Sequence, residues 1–116
     1  SFPMFLFWGE ELISFYNDAY RPSLGNNGKH PAIGKKGNEV WPEVWDLVEP
    51  LINQVLTTGK PAWSENRLVP IYRNNRIEDA YWTFCHSPAF GENGKICGVI
   101  VTCIETTQNV LSRQRV

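Results

Sequence analysis

AYWTFCHSPAFGENGKICGVIVTCIETT, residues Ala80 to Thr107, decides the fold. Tyr81 to Phe84 form a β-branched and aromatic run, Ile96 to Ile104 form another, and Gly91-Glu92-Asn93-Gly94 between them supply turn chemistry. The pattern predicts an antiparallel hairpin. Centring the turn on Glu92 and Asn93 sets Phe84 opposite Val101, Trp82 opposite Cys103 and His86 opposite Val99. One face then carries Trp82, Phe84, His86, Val99, Val101 and Cys103. The other, with Ile96, Ile100 and Ile104, is apolar as well, so the hairpin requires cover on both sides.

Working outward, the N-terminal side offers a second hairpin, Met4 to Trp8 and Leu12 to Tyr16, around Gly9-Glu10-Glu11. Asn17-Asp18 follow as caps for a short helix through Ala19 and Tyr20, with Pro22 early enough to be tolerated. Leu24 to Gly37 reads as a mobile loop with one turn near Pro31-Ala32-Ile33. From Pro42 to Thr58 the period becomes helical, placing Val44, Leu47, Val48, Leu51, Ile52 and Val55 in one apolar arc, and Gly59 is its stop. Pro50 removes one hydrogen bond and crowds a carbonyl, so a kink or break is expected there. Trp63 to Arg73 reads as an edge strand because it contains Pro70, and Asn74-Asn75 turn it into the organising hairpin. The order predicts an α+β domain: about five antiparallel strands, with short helices and one longer helix packed on one face.

The chain has 116 residues and a net charge of -1. That length suits one domain, expected over residues 1–107 with residues 108–116 beginning a C-terminal signalling helix. The near-neutral balance argues against nucleic-acid binding, and without a long apolar run or a leader pattern no direct membrane contact is expected. A cytoplasmic piece of a longer protein is expected. Cys85, Cys97 and Cys103 are odd in number and lack metal-ligand spacing, so they read as small buried hydrophobes. The carboxylates are scattered, no serine sits in a nucleophile elbow and no Gly-rich phosphate loop is present, so catalysis and metal binding are not expected of this chain.

Asn17-Asp18-Ala19-Tyr20 after the second strand, Leu24-Gly25 closing the first short helix, Ile33-Gly34-Lys35 leading to Glu39-Val40-Trp41-Pro42, Ser87-Pro88 followed by Gly94 to Gly98, and Glu105-Thr106-Thr107 occur in this order. The arrangement resembles the PAS sensory domain over nearly the whole chain, and its wording is most similar to PAS modules of bacterial sensor histidine kinases, often hybrid ones. The resemblance implies a sensory input domain, itself non-enzymatic, that answers a small molecule or partner and relays a change into a kinase domain of the same chain. A ligand-free dimerisation spacer is the alternative. Covalent flavin is not implied, because the helix Trp41 to Thr58 contains no cysteine; haem is not implied, because that helix has no histidine and His30 lies in a loop. The cofactor stays unknown.

The resemblance places Trp82, Phe84 and His86 toward a ligand pocket, and the hairpin register independently puts Val99, Val101 and Cys103 beside them. Trp41, Trp45 and Val48 roof that pocket or anchor the helix. All of these read equally as a packed core, the commoner fate of aromatics on an inner sheet face. His86 is the sharpest candidate, a titratable group among aromatics. Glu105, Thr106 and Thr107 are the expected signal relay. Trp63, Arg67 and Arg73 read as a solvated edge. The apolar outer sheet face calls for cover, and a homodimer through that face or the flanking helices is expected.

Overall fold

The computed structural model describes residues 2–25 and 29–114. Five strands form one antiparallel sheet in the order β2-β1-β5-β4-β3. They are β1 (Met4–Trp8), β2 (Ile13–Tyr16), β3 (Ala62–Arg73), β4 (Arg76–Phe90) and β5 (Ile96–Glu105). A 3₁₀ turn over Arg21–Leu24, α1 (Gly37–Val40), a second 3₁₀ turn over Pro42–Val44 and α2 (Trp45–Thr58) connect the two halves of the sheet, and α3 (Thr107–Gln114) follows β5. This is the expected α+β architecture. Part of the expected Leu24–Gly37 loop, residues 26–28, and the last two residues of the expected linker lie outside the described residues.

The hairpin of β4 and β5 forms, but its register differs by two residues from the expected one. Trp82 lies opposite Glu105, Phe84 opposite Cys103 and His86 opposite Val101. Two irregularities add up to the shift. Gly94 adopts φ 77° after a turn in which its N–H bonds the Gly91 carbonyl at 3.1 Å, moving the turn centre to Asn93. A bulge between Ala89 and Phe90 then leaves Cys97 unpaired. From Trp82 to Ala89 the shift is even and each side chain keeps its own face, so Trp82, Phe84, His86, Val99, Val101 and Cys103 are all buried together. Ile96, set opposite Phe90 by the bulge, instead leaves the expected outer face and turns toward Gly59 at the end of α2.

Helix α2 runs unbroken through Pro50, so the break expected there does not occur. Pro50 is the sixth residue of α2, so the carbonyl it crowds is that of Asp46 in the first turn. The interruption comes earlier instead. Trp41, restrained by the proline that follows it, leaves helical geometry at φ -122° and ψ 45°, and Val44 does so at φ -126°. The helix thus starts at Trp45 rather than Pro42, and ends at Gly59, left-handed at φ 70°. Ile52 and Val55 of α2 are fully buried against the sheet, each contributing about 1.5–3 kcal/mol of burial.

Both sheet edges are closed to further pairing. Beside β2 the chain returns, with Ser14 N–H bonding the Lys35 carbonyl and Gly34 N–H the Ser14 carbonyl, each at 2.8 Å. Edge strand β3 carries a bulge between Ser64 and Arg67, where Asn66 takes φ 48°, and Pro70 in its second half. Gly98 is required where β5 meets β1, because a Cβ there would collide with the Phe7 carbonyl.

Candidate functional site

Alternation along the strands turns Phe5 and Phe7 of β1, Val69 and Ile71 of β3, Trp82, Phe84 and His86 of β4, and Val101 and Cys103 of β5 toward the helices. Opposite them stand Tyr20, Trp41, and Val44, Leu47 and Val48 leading into and along α2. A cavity of about 80 Å³ remains between the two layers. Aromatic and aliphatic side chains share its walls: Phe5 stacks edge-on against Tyr20 and Trp41 at centroid distances of 5.2 and 5.9 Å, and Phe84 meets His86 edge-on at 5.1 Å.

Two buried polar atoms on this wall, Trp82 Nε1 and His86 Nδ1, have no hydrogen-bond partner among the described residues. Leaving such a group unpaired costs about 1–3 kcal/mol. Burial, reinforced by the positive field of Arg67, lowers the His86 pKa to about 4, so its imidazole is neutral. Burial pushes the Cys103 thiol up to about 12 and raises the Tyr20 phenol well above its usual range, while the two side chains hydrogen-bond each other. The cavity therefore offers neutral hydrogen-bonding groups in an apolar shell.

Behind Trp82 lies an ionic knot. The Arg73 guanidinium sits 5.9 Å from the Trp82 ring centroid and makes a two-pronged bond to Glu105, Nη1 to Oε1 at 2.9 Å and Nη2 to Oε2 at 2.8 Å. Its Nε donates to Glu78 at 3.0 Å and its Nη1 also to the Ser23 carbonyl at 3.2 Å. Its side chain is only 12% exposed, which corrects the expectation of a solvated Arg73. Trp63, 66% exposed, and Arg67 do lie at the surface. Burial works to raise the Glu105 pKa, but hydrogen bonds from Arg73 and Thr107 hold it below the usual carboxylate value. Thr107 Oγ1 donates to Glu105 at 2.8 Å and accepts from the Tyr81 N–H at 3.0 Å, and Thr106 N–H bonds the Tyr81 carbonyl at 2.7 Å. The first residue of α3 is thus tied to β4 beside the cavity wall.

A family model described as the PAS fold matches residues 7–111. The chain belongs to the PAS-fold family. Solved PAS-containing proteins share its architecture. The sensory box sensor histidine kinase from Vibrio cholerae is 17% identical, with a TM-score of 0.65 over 90% of this chain and 78% of that one. A PAS domain from Colwellia psychrerythraea is 14% identical, with a TM-score of 0.67 over 91% and 86% of the two chains. The Vibrio cholerae VqmA dimer is 18% identical at a TM-score of 0.69 over 94% of this chain, which spans about half (48%) of that one. At these identities the likeness shows the fold.

Of the residues singled out in the sequence, this PAS domain brings Trp41, Val48, Trp82, Phe84, His86, Val101 and Cys103 to the cavity wall. Val99 is fully buried but lies outside that wall, and half-buried Trp45 is also outside it, packing edge-on against Phe7 at 5.9 Å with its indole N–H on Glu49. Tyr20 was missed as a lining residue, and Arg73 was misassigned to a solvated edge. A signal for Arg73 was present: Val69, Ile71 and Arg73 share one strand parity, which places the arginine on the core face. Lys29 was also missed. It is buried, with Nζ on the Val40 carbonyl at 2.5 Å, paired to Glu43 at 2.9 Å and 4.8 Å from the Trp41 ring centroid, so it braces the cavity roof from outside. Among the described residues no three His, Cys, Asp or Glu side chains gather as a metal site, and no helix is long and apolar enough to cross a membrane.

Proposed function

We propose that this PAS domain is the sensory input module of a cytoplasmic signalling protein, a sensor histidine kinase whose catalytic domains follow α3. The observation that carries the reading is the aromatic cavity with two unpaired buried polar atoms, Trp82 Nε1 and His86 Nδ1. A ligand that pairs with them recovers the cost of their isolation, and so favours whichever packing presents them. The path outward runs from Trp82 to Arg73, from Arg73 to Glu105 and from Glu105 to Thr107 at the start of α3. Glu105, Thr106 and Thr107 are thus the relay, with Arg73 joined to them. The likeness to a sensor kinase, and to VqmA, known in a DPO-bound form, supports a ligand-sensing role.

Native and denaturing mass spectrometry of the freshly purified chain test this. The expected result is an added mass in the native spectrum that is lost on denaturation. A clean apo mass under gentle conditions, together with unchanged output when the helix is re-phased by insertions after Thr107, would defeat it.

A dimerisation role accompanies it. Met4, Trp8, Phe15, Trp63 and Ile104 on the outer sheet face are between 37% and 66% exposed. Such a row favours a second copy of the chain as its cover.

A further inference from the structure

We infer that the ligand of this cavity is an uncharged, flat molecule about one ring in size, with a hydrogen-bonding group at each end, one accepting from Trp82 Nε1 and the other paired with His86. The inference rests on the pocket reading above. Trp82 and His86 are four residues apart on one face of β4, a Cα separation of about 13 Å at ~3.3 Å per residue, with Phe84 between them. The cavity wall is therefore polar at two places and apolar between. The indole can only donate, so its partner is an acceptor such as a carbonyl oxygen or a ring nitrogen. The neutral imidazole presents one donor and one acceptor and takes a hydroxyl, an amide or an N–H.

Charge is excluded by what surrounds the cavity. Its titratable lining groups, Tyr20, His86 and Cys103, are all held uncharged by burial. Arg73, behind the Trp82 ring, is already bound by Glu105 and Glu78. Arg67, on β3, reaches His86 only through its field from an exposed position, and Asp46 and Glu49 of α2 face solvent. A carboxylate or ammonium entering the cavity would be desolvated without a counterion. Size follows from the volume: about 80 Å³ is roughly half of the ~150 Å³ that takes up benzene, so one ring already has to part the half-buried Leu47 and Val48 on α2, and a larger fused system would have to part them further.

Three probes of one shape test this at pH 7.5: 4-hydroxybenzamide, 4-hydroxybenzoate and p-xylene, titrated into the 116-residue chain by calorimetry and by the indole N–H resonances in nitrogen-15 spectra. Trp82→Phe, which keeps an aromatic ring and drops the N–H, assigns the Trp82 resonance. Expected are binding of the amide with a shift of that resonance, binding of the carboxylate weaker by at least about tenfold, and no indole shift with p-xylene. The Phe variant, still folded by its thermal transition, should bind the amide about five- to tenfold more weakly. Equal or tighter binding of the carboxylate, or p-xylene matching the amide, overturns the ligand class and leaves the sensor reading intact. Binding by none of the three also overturns it. In that case a native-spectrum adduct preserves the sensor role, and its absence together with unchanged output on re-phasing α3 removes both.

Discussion

His86 makes the stability of the domain depend on pH. Its folded pKa, about 4, lies below the ordinary value of 6.5, so the unfolded chain takes up the proton first as pH falls. The neutral ring's contribution is complete above about pH 6.5 and is lost progressively on the way to pH 4. Urea unfolding is expected to show a loss of about 2 kcal/mol between pH 7 and pH 5, and His86→Phe should flatten that slope. An unchanged slope in the variant would assign the effect to other groups. Arg73 is the other residue on which much converges. Arg73→Lys keeps the charge but cannot hold both oxygens of Glu105 while reaching Glu78 and Ser23, and should cost about 1.5–3 kcal/mol by thermal or urea unfolding.

At the scale of elements, the two surprises have a common origin: small backbone devices that a residue count does not register. Strand identities, the Asn74-Asn75 turn and the amphipathic helix were all legible, because they rest on alternation, on a period of 3.6 and on residues that tolerate positive φ. The register of the last hairpin was not, since Gly91 and Gly94 both suit the turn and only Gly94 takes the left-handed conformation. The faces survived from Trp82 to Ala89, where the shift is even, and changed only at Ile96 beyond the bulge. Pro50 likewise announces a fault in α2, but the helix continues through it, with Ile52 and Val55 beyond it fully buried. Pro50→Ala should therefore restore a bond to the Asp46 carbonyl and stabilise the domain by about 1–3 kcal/mol, read as a raised urea midpoint. Gly98→Ala should do the opposite, costing about 1–3 kcal/mol or more as its methyl drives β1 from β5.

For the whole molecule, the cavity wall was partly readable because it is the inner face of the hairpin, whereas the ionic knot joining Arg73 to Glu78 and Glu105 was not. Its partners come from the ends of three strands, and their meeting depends on topology rather than on spacing. The outer face leads to a further expectation: the chain should sediment as a dimer, and Ile104→Glu, at a position 46% exposed, should shift it toward monomer with little change in melting temperature. A dimer indifferent to that change would place the contact on α3 instead. The protected margins of the sheet also limit how copies can meet. With the returning chain along β2 and a bulge and proline on β3, neither side offers a clean ladder of free N–H and C=O groups. Strand-by-strand accretion into ribbons is thus opposed at both margins, and concentrated solutions are expected to gather copies face to face without growth of thioflavin-binding fibrils.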